Sequence, residues 1–180
     1  NKPLKLINDK EMILHVYEAA IKSYSGDVYV ATPDQKIIDV VKNFGGKVIL
    51  TEKKHETGTD RIFEVFKKTL NGVPNIIVNL QGDMPNIKPE PIRNLIKYMN
   101  LGKCDIGTLA SKLSSSSELE DQNVVKVLVK ENMSSGMFTE ALDFVRINPD
   151  NHYKAYHHVG IYAFTNKALL RYVTLKRSKL

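Results

Sequence analysis

Cys104 is the only cysteine in this chain. One thiol can form no internal disulfide and no cysteine-built metal cage. Such sparse cysteine is the habit of a reducing compartment, so a cytoplasmic location is expected. Long apolar runs are missing too. Nothing approaches the roughly 20 residues of a membrane-spanning helix, and no apolar core follows Asn1-Lys2-Pro3-Leu4 as it would in a signal peptide. A stripe of basic residues interleaved with aromatics is also absent. Lysines and acids alternate along most of the chain, and the one basic cluster is Arg171, Lys176, Arg177 and Lys179. Neither a nucleic acid nor a membrane is therefore expected as a partner. The net charge of +6 is compatible with a polyanionic small substrate.

What is present is the composition of a folded domain. With 42% hydrophobic and 26% charged residues over 180 positions, one domain spanning residues 1–180 can bury a substantial core. Helix and strand patterns alternate through the first two-thirds. Asn8 and Glu11 stand at capping-box spacing before Met12, Val16, Ala20 and Tyr24, with Gly26 as the stop. Val28-Tyr29-Val30-Ala31 reads as a buried strand. Pro33-Asp34 opens a helix carrying Ile37, Val41 and Phe44, which Gly45-Gly46 closes. Val48-Ile49-Leu50 is the next strand, Thr59 caps a helix with Ile62, Phe63, Phe66 and Leu70 on one face, and residues 76–80 form a third strand.

This repetition predicts an α/β fold with a Rossmann-like, mostly parallel sheet covered by helices. Beyond Asp105 the helical patterns thin out. Residues 106–110, 124–129, 141–145 and 159–164 read as strands of a β-rich second half, and residues 114–117 as a polar loop. Parallel sheets bind ligands at the carboxyl ends of their strands, which directs attention to the loops after Ala31, Leu50 and Leu80.

Three segments carry residue types suited to chemistry. In Glu56-Thr57-Gly58-Thr59-Asp60-Arg61, glycine admits close backbone approach and a capped helix start offers free N–H groups to a phosphate or a base edge. The same residues also suit a plain helix cap with solvated charges. In Asn79-Leu80-Gln81-Gly82-Asp83, a carboxylate just past a buried strand can hold Mg²⁺ against phosphates, or can simply make a Gly-Asp turn. Gln81 can reach a substrate hydroxyl from the same loop. In His157-His158-Val159-Gly160-Ile161-Tyr162, adjacent histidines on a strand face opposite sides, whereas His158 and Tyr162 share one face and can line a pocket.

In order and wording these segments resemble the CMP-Kdo synthetases, the 3-deoxy-manno-octulosonate cytidylyltransferases. The resemblance runs through residues 28–34 and 44–48, Thr57-Gly58-Thr59-Asp60-Arg61, Val78-Asn79-Leu80-Gln81-Gly82-Asp83, Asn123-Val124-Val125-Lys126-Val127, His158-Val159-Gly160-Ile161-Tyr162 and Arg171-Tyr172-Val173. It implies the fold of the nucleotide-diphospho-sugar transferases. It also implies transfer of CMP from CTP to the sugar acid Kdo with loss of pyrophosphate, Mg²⁺ as cofactor, a homodimer, and a role in bacterial lipopolysaccharide synthesis.

By the same resemblance, Thr57, Gly58 and Thr59 lie against the cytosine and Arg61 belongs to the nucleotide site. Lys2 touches the phosphates, and Asp83 is one of two aspartates binding Mg²⁺. Gln81, His158 and Tyr162 contact the sugar acid, and Arg146 pairs with its carboxylate or with a phosphate. The family's first strand and its Gly- and Arg-containing loop precede the position of Asn1, and its second metal-binding aspartate follows Leu180, so the domain is expected to be incomplete at both ends. The stretch Asn148-Pro149-Asp150-Asn151 is expected to be a shortened loop. A related transferase for another sugar acid, and a non-catalytic nucleotide-binding or interaction module, remain the alternatives.

Overall fold

A computed structural model describes residues 2–69, 74–147 and 153–176; the shortened loop and Leu70 of the expected helical face lie outside them. A 3₁₀ turn, Lys2–Leu4, leads into β1 (Leu6–Ile7), β2 (Lys10–Glu11), α1 (Met12–Lys22), β3 (Val30–Thr32), α2 (Gln35–Asn43) and β4 (Val48–Leu50). There follow α3 (Gly58–Thr69), β5 (Ile76–Asn79), α4 (Pro89–Met99), β6 (Ile106–Ser111), α5 (Ser116–Glu120), β7 (Lys126–Val129), β8 (Asp143–Val145), β9 (Lys154–Thr165) and α6 (Asn166–Tyr172). The chain divides into two compact units, residues 1–107 with 162–180, and residues 108–161. The helices α1 to α4 all belong to the larger unit, and the smaller one packs strands with only the short α5.

Local chemistry explains most element boundaries and corrects three expectations. Asn8 and Asp9 have φ of 48° and 60° and turn the β1–β2 hairpin, a left-handed conformation their short polar side chains tolerate. Asn8 is therefore a hairpin residue rather than half of a capping box, and Glu11 precedes α1 without a side-chain cap bond. At the other end α1 stops at Lys22, so Tyr24 lies outside it with φ of 52° and is 85% exposed. Thr57, not Thr59, caps α3. Its hydroxyl accepts from the Asp60 N–H at 3.2 Å while the Asp60 carboxylate accepts from the Thr57 N–H at 2.9 Å, a reciprocal pair that satisfies two otherwise orphan donors.

One helix was not anticipated. α4 carries Pro89 and Pro91 in its first turn, where a missing N–H costs nothing, and buries Ile92, Leu95 and Met99 at helical spacing. In place of a polar loop, α5 forms behind Ser115, whose hydroxyl accepts from the Glu118 N–H.

The pairing is mixed. β3 and β4 run parallel with α2 as their crossover, from Val30↔Val48 to Thr32↔Leu50. In the larger unit β5 pairs antiparallel with the end of β9, from Ile76↔Thr165 to Asn79↔Tyr162. In the smaller unit β7 lies between β8 and the start of β9, antiparallel to both. The α/β class holds, with β3 and β4 parallel and β9 antiparallel to both β5 and β7.

Ile13, Leu14, Ile37 and Val41 form one apolar cluster, and Ile77, Phe164 and Leu169 another. A cavity of about 890 Å³ is lined by Val16 and Ala20 of α1, Val65 and Phe66 of α3, Ile77 of β5 and Ile92 of α4. Arg61, Asn79 and Gln81 line the same cavity, and a mostly apolar space that large is accessible to a hydrophobic probe. Saturable enhancement of anilinonaphthalene sulfonate fluorescence by the folded protein is the expected result; a signal no greater than that of a closed-core control protein would contradict the cavity.

Candidate active site

The turn opening α3 and the end of β5 meet in the larger unit. Gly58 is exposed, and a Cβ built on it would lie 3.4 Å from Gln81 Nε2 and 3.6 Å from Asn79 Nδ2. The bare backbone of Gly58 therefore backs onto two amide side chains from the strand end. Asn79 Nδ2 donates to Thr59 Oγ1 at 3.2 Å, and Thr59 is buried in the first turn of α3.

The loop leading into this turn is braced from α3. Glu64, buried among its partners, accepts the Glu52 N–H with both oxygens, at 3.0 and 3.2 Å, and binds His55 Nε2 at 2.5 Å and the Lys68 ammonium. The Lys68 bond, with those from His55 and the Glu52 N–H, outweighs burial and holds the Glu64 carboxyl down at about 2. Arg61 NH1 donates to Thr51 Oγ1 at 2.5 Å and to the Glu52 carbonyl at 2.9 Å. In this structure Arg61 is thus a second brace of the same loop.

Lys2 and Asp83 are 81 positions apart in the chain yet form an ion pair, Lys2 Nζ to Asp83 Oδ2 at 2.9 Å. Both side chains are about half exposed, so the pair adds little to stability and is open to a ligand. Among the described residues no group of three His, Cys, Asp or Glu side chains is placed to hold a metal. A single carboxylate nevertheless fits Mg²⁺, which keeps several waters and is commonly held by one or two carboxylates plus substrate phosphates. Tyr162 stands opposite Asn79 in the β5–β9 register. Burial first, and Tyr172 second, push its phenol above the usual value, which keeps it a neutral donor.

His158 and Arg146 belong to the smaller unit. The Thr108 hydroxyl donates to the Ile161 carbonyl at 2.6 Å and meets His158 Nε2 at 3.0 Å. A Thr108 hydroxyl that donates to that carbonyl is left as an acceptor for a His158 Nε2–H. Burial, with a lesser contribution from His157, lowers the His158 pKa and favours the neutral ring. Phe144 packs edge-on against the ring at 5.0 Å. His157 instead reaches Glu118 at 3.6 Å, in keeping with the opposite facing of adjacent strand residues.

Arg146 NH1 donates to the Gln122 carbonyl at 3.1 Å. Its own carbonyl accepts from the fully buried Lys126 ammonium at 2.9 Å. The structure thus brings Lys2, Thr57, Gly58, Thr59, Arg61, Gln81, Asp83 and Tyr162 into one unit, and His158 and Arg146 into the other. Sequence reasoning assigned no role to Glu64. The one signal for it is an acid among the apolar positions of α3, where a buried charge demands partners.

With this geometry in hand, comparison with known proteins is decisive for class. The cytidylyltransferase family profile matches residues 1–180. An 8-amino-3,8-dideoxy-manno-octulosonate cytidylyltransferase of Shewanella pealeana is 38% identical over 183 residues, covering 99% of this chain and 74% of that protein. A 3-deoxy-manno-octulosonate cytidylyltransferase of Thermodesulfovibrio yellowstonii is 38% identical over 191 residues, with the same coverage. Among solved structures, a CMP:2-keto-3-deoxy-manno-octonic acid synthetase complexed with CTP superposes with a TM-score of 0.85 at 38% identity, covering 99% of this chain and 73% of that one. The fold and the family are those of a nucleotidyltransferase. The chain belongs to the cytidylyltransferase family and spans about three-quarters of the length of these relatives.

Proposed function

We propose that this protein transfers CMP from CTP to 3-deoxy-manno-octulosonate (Kdo), giving CMP-Kdo and pyrophosphate for lipopolysaccharide synthesis in the cytoplasm, and that it acts as a homodimer. The observation that carries this reading is the ion pair of Lys2 with Asp83, the latter on the strand-end loop that also bears Gln81, the residue facing Gly58. A cation for phosphate, a carboxylate for a metal and a bare backbone turn for a base stand on neighbouring segments.

In the reaction the anomeric hydroxyl oxygen of the sugar bonds to the α-phosphorus as the bond to the β-phosphate bridging oxygen breaks. Pyrophosphate carries away the electron pair, and the hydroxyl proton passes to solvent or base. Bringing two anions together makes positioning and charge neutralisation the main tasks. Lys2 supplies a positive charge to the phosphates. Asp83 would hold Mg²⁺, which when bound neutralises phosphate charge. Gly58 and its threonine neighbours receive the cytosine. Gln81 and Tyr162 donate to sugar hydroxyls.

The Shewanella relative supports a second reading, in which the acceptor carries an amine in place of the C8 hydroxyl. Pyrophosphate release by the protein with CTP and Mg²⁺ separates them. The expected result is turnover with Kdo at least tenfold above that with 8-amino-3,8-dideoxy-manno-octulosonate. The reverse preference would transfer the assignment to the amino sugar, and nucleotide binding without turnover on either would favour a binding module. Elution of the protein at twice its chain mass in light-scattering chromatography is the expected sign of the dimer.

A further inference from the structure

Asn79 touches both halves of the nucleotide-facing site and has no part in the chemistry above. It is the last residue of β5 and only 4% exposed. Ile77 and Asn79 are the two buried positions of that strand, so the amide ends a face that is otherwise core. A primary amide is an expensive choice for such a place unless its hydrogen bonds are made. One is made to Thr59, 20 residues away, at 3.2 Å. The same amide stands 3.6 Å (Nδ2) and 3.8 Å (Oδ1) from the point where a Gly58 Cβ would be, beside Gln81 Nε2 at 3.4 Å. Across the strand pair its partner is Tyr162.

We propose that Asn79 is a positioning residue that locks the base-facing turn at Gly58 and Thr59 to the strand end bearing Gln81 and Asp83. The proposal rests on the cytidylyltransferase reading of the site. With 4% of its surface exposed and its amide bonded to Thr59, Asn79 acts through Thr59. The Thr59 side chain sits in the first turn of α3, and fixing it fixes the backbone of Gly58. A purely apolar residue at position 79 would pack against Ile77 equally well but leave the turn unregistered against the strand end.

A double-mutant cycle tests this, read as CTP affinity by calorimetry and as KM and kcat. Asn79→Leu and Thr59→Val are each expected to weaken CTP binding by about tenfold, chiefly in KM, with kcat within about threefold of the parent. Because both remove the same bond, the double variant is expected to be no weaker than the worse single one. Thr59→Ser, which keeps a hydroxyl, is expected to bind CTP more tightly than Thr59→Val. Multiplicative losses near a hundredfold would overturn the proposal, and so would a lowered melting temperature with unchanged CTP affinity. Should Asn79→Leu fail to fold, equal CTP affinity of Thr59→Ser and Thr59→Val overturns it instead. If the parent protein binds no CTP, the functional reading falls and this one with it; if the parent binds CTP and the losses multiply, only the role of Asn79 is lost.

Discussion

Replacing Asp83 by asparagine is expected to lower turnover by about a hundred- to a thousandfold while leaving the melting temperature within a few degrees of the parent. Two physical facts separate these effects. As a metal ligand, Asp83 would act on charge that builds during transfer, and losing one such electrostatic contact typically costs about 2.7–4 kcal/mol. As a structural residue it has little to lose. Its ion pair with Lys2 is about half exposed on both sides, and exposed pairs contribute about 0–1 kcal/mol. Asparagine also suits a turn after glycine as well as aspartate does. Initial-rate pyrophosphate release and thermal melts on the same preparation check both halves. A folded variant retaining more than about a third of the parent rate would take Asp83 out of the metal site, since that loss is well under the 1.36 kcal/mol of a tenfold change.

Acid is expected to loosen the loop that leads into the turn at Gly58, and Glu64 is the group responsible. Its carboxyl is held at about 2 in the folded protein against an ordinary 4.5, first by Lys68 and then by His55 and the Glu52 N–H. A depressed folded value means that the stabilisation is complete above the unfolded value and is lost as pH falls through the folded one. The window is therefore from about pH 5 down to about pH 2. The full shift would correspond to about 3 kcal/mol. Because Lys68 is half exposed and so screened by solvent, about 2 kcal/mol is the expected contribution, or roughly 4–8 °C in melting temperature for a chain of this size. Glu18 and Glu118 are also lowered, by Lys10 and by the Ser114 N–H respectively, so the comparison must be differential. Glu64→Gln should melt lower than the parent at pH 7, and the gap should close toward pH 2.5. A gap that stays constant across that range would show that the Glu64 charge is not what braces the loop.

The residues of the candidate strand-end site stand out in the sequence because their markers are local. A buried apolar run followed by Gln81-Gly82-Asp83, and a Thr-Gly-Thr turn opening an amphipathic helix, announce themselves within six or seven residues. The β3–α2–β4 unit was equally plain, since Asp34 caps its helix and Gly45, with φ of 80°, closes it. What escaped notice depended on partners far away in sequence. Periodicity identified residues 76–80 as a buried strand, but not that β5 pairs antiparallel with β9 about 85 residues later. Hydrophobic pattern reports burial and not which edge finds which.

The cap at Thr57 instead of Thr59 and the hairpin at Asn8 are errors of one kind. Each of these polar residues is a good cap by type, and only the backbone path decides which one is used. Sequence alone determined the α/β class, the cytidylyltransferase family and the residue types of the site. Tertiary structure decided that Lys2 meets Asp83, that Arg61 and Glu64 brace one loop, and that Asn79 reaches Thr59. Each of these links joins residues that are not neighbours along the chain, and an exposed or buried polar side chain declares in sequence its need for a partner but not the partner's identity.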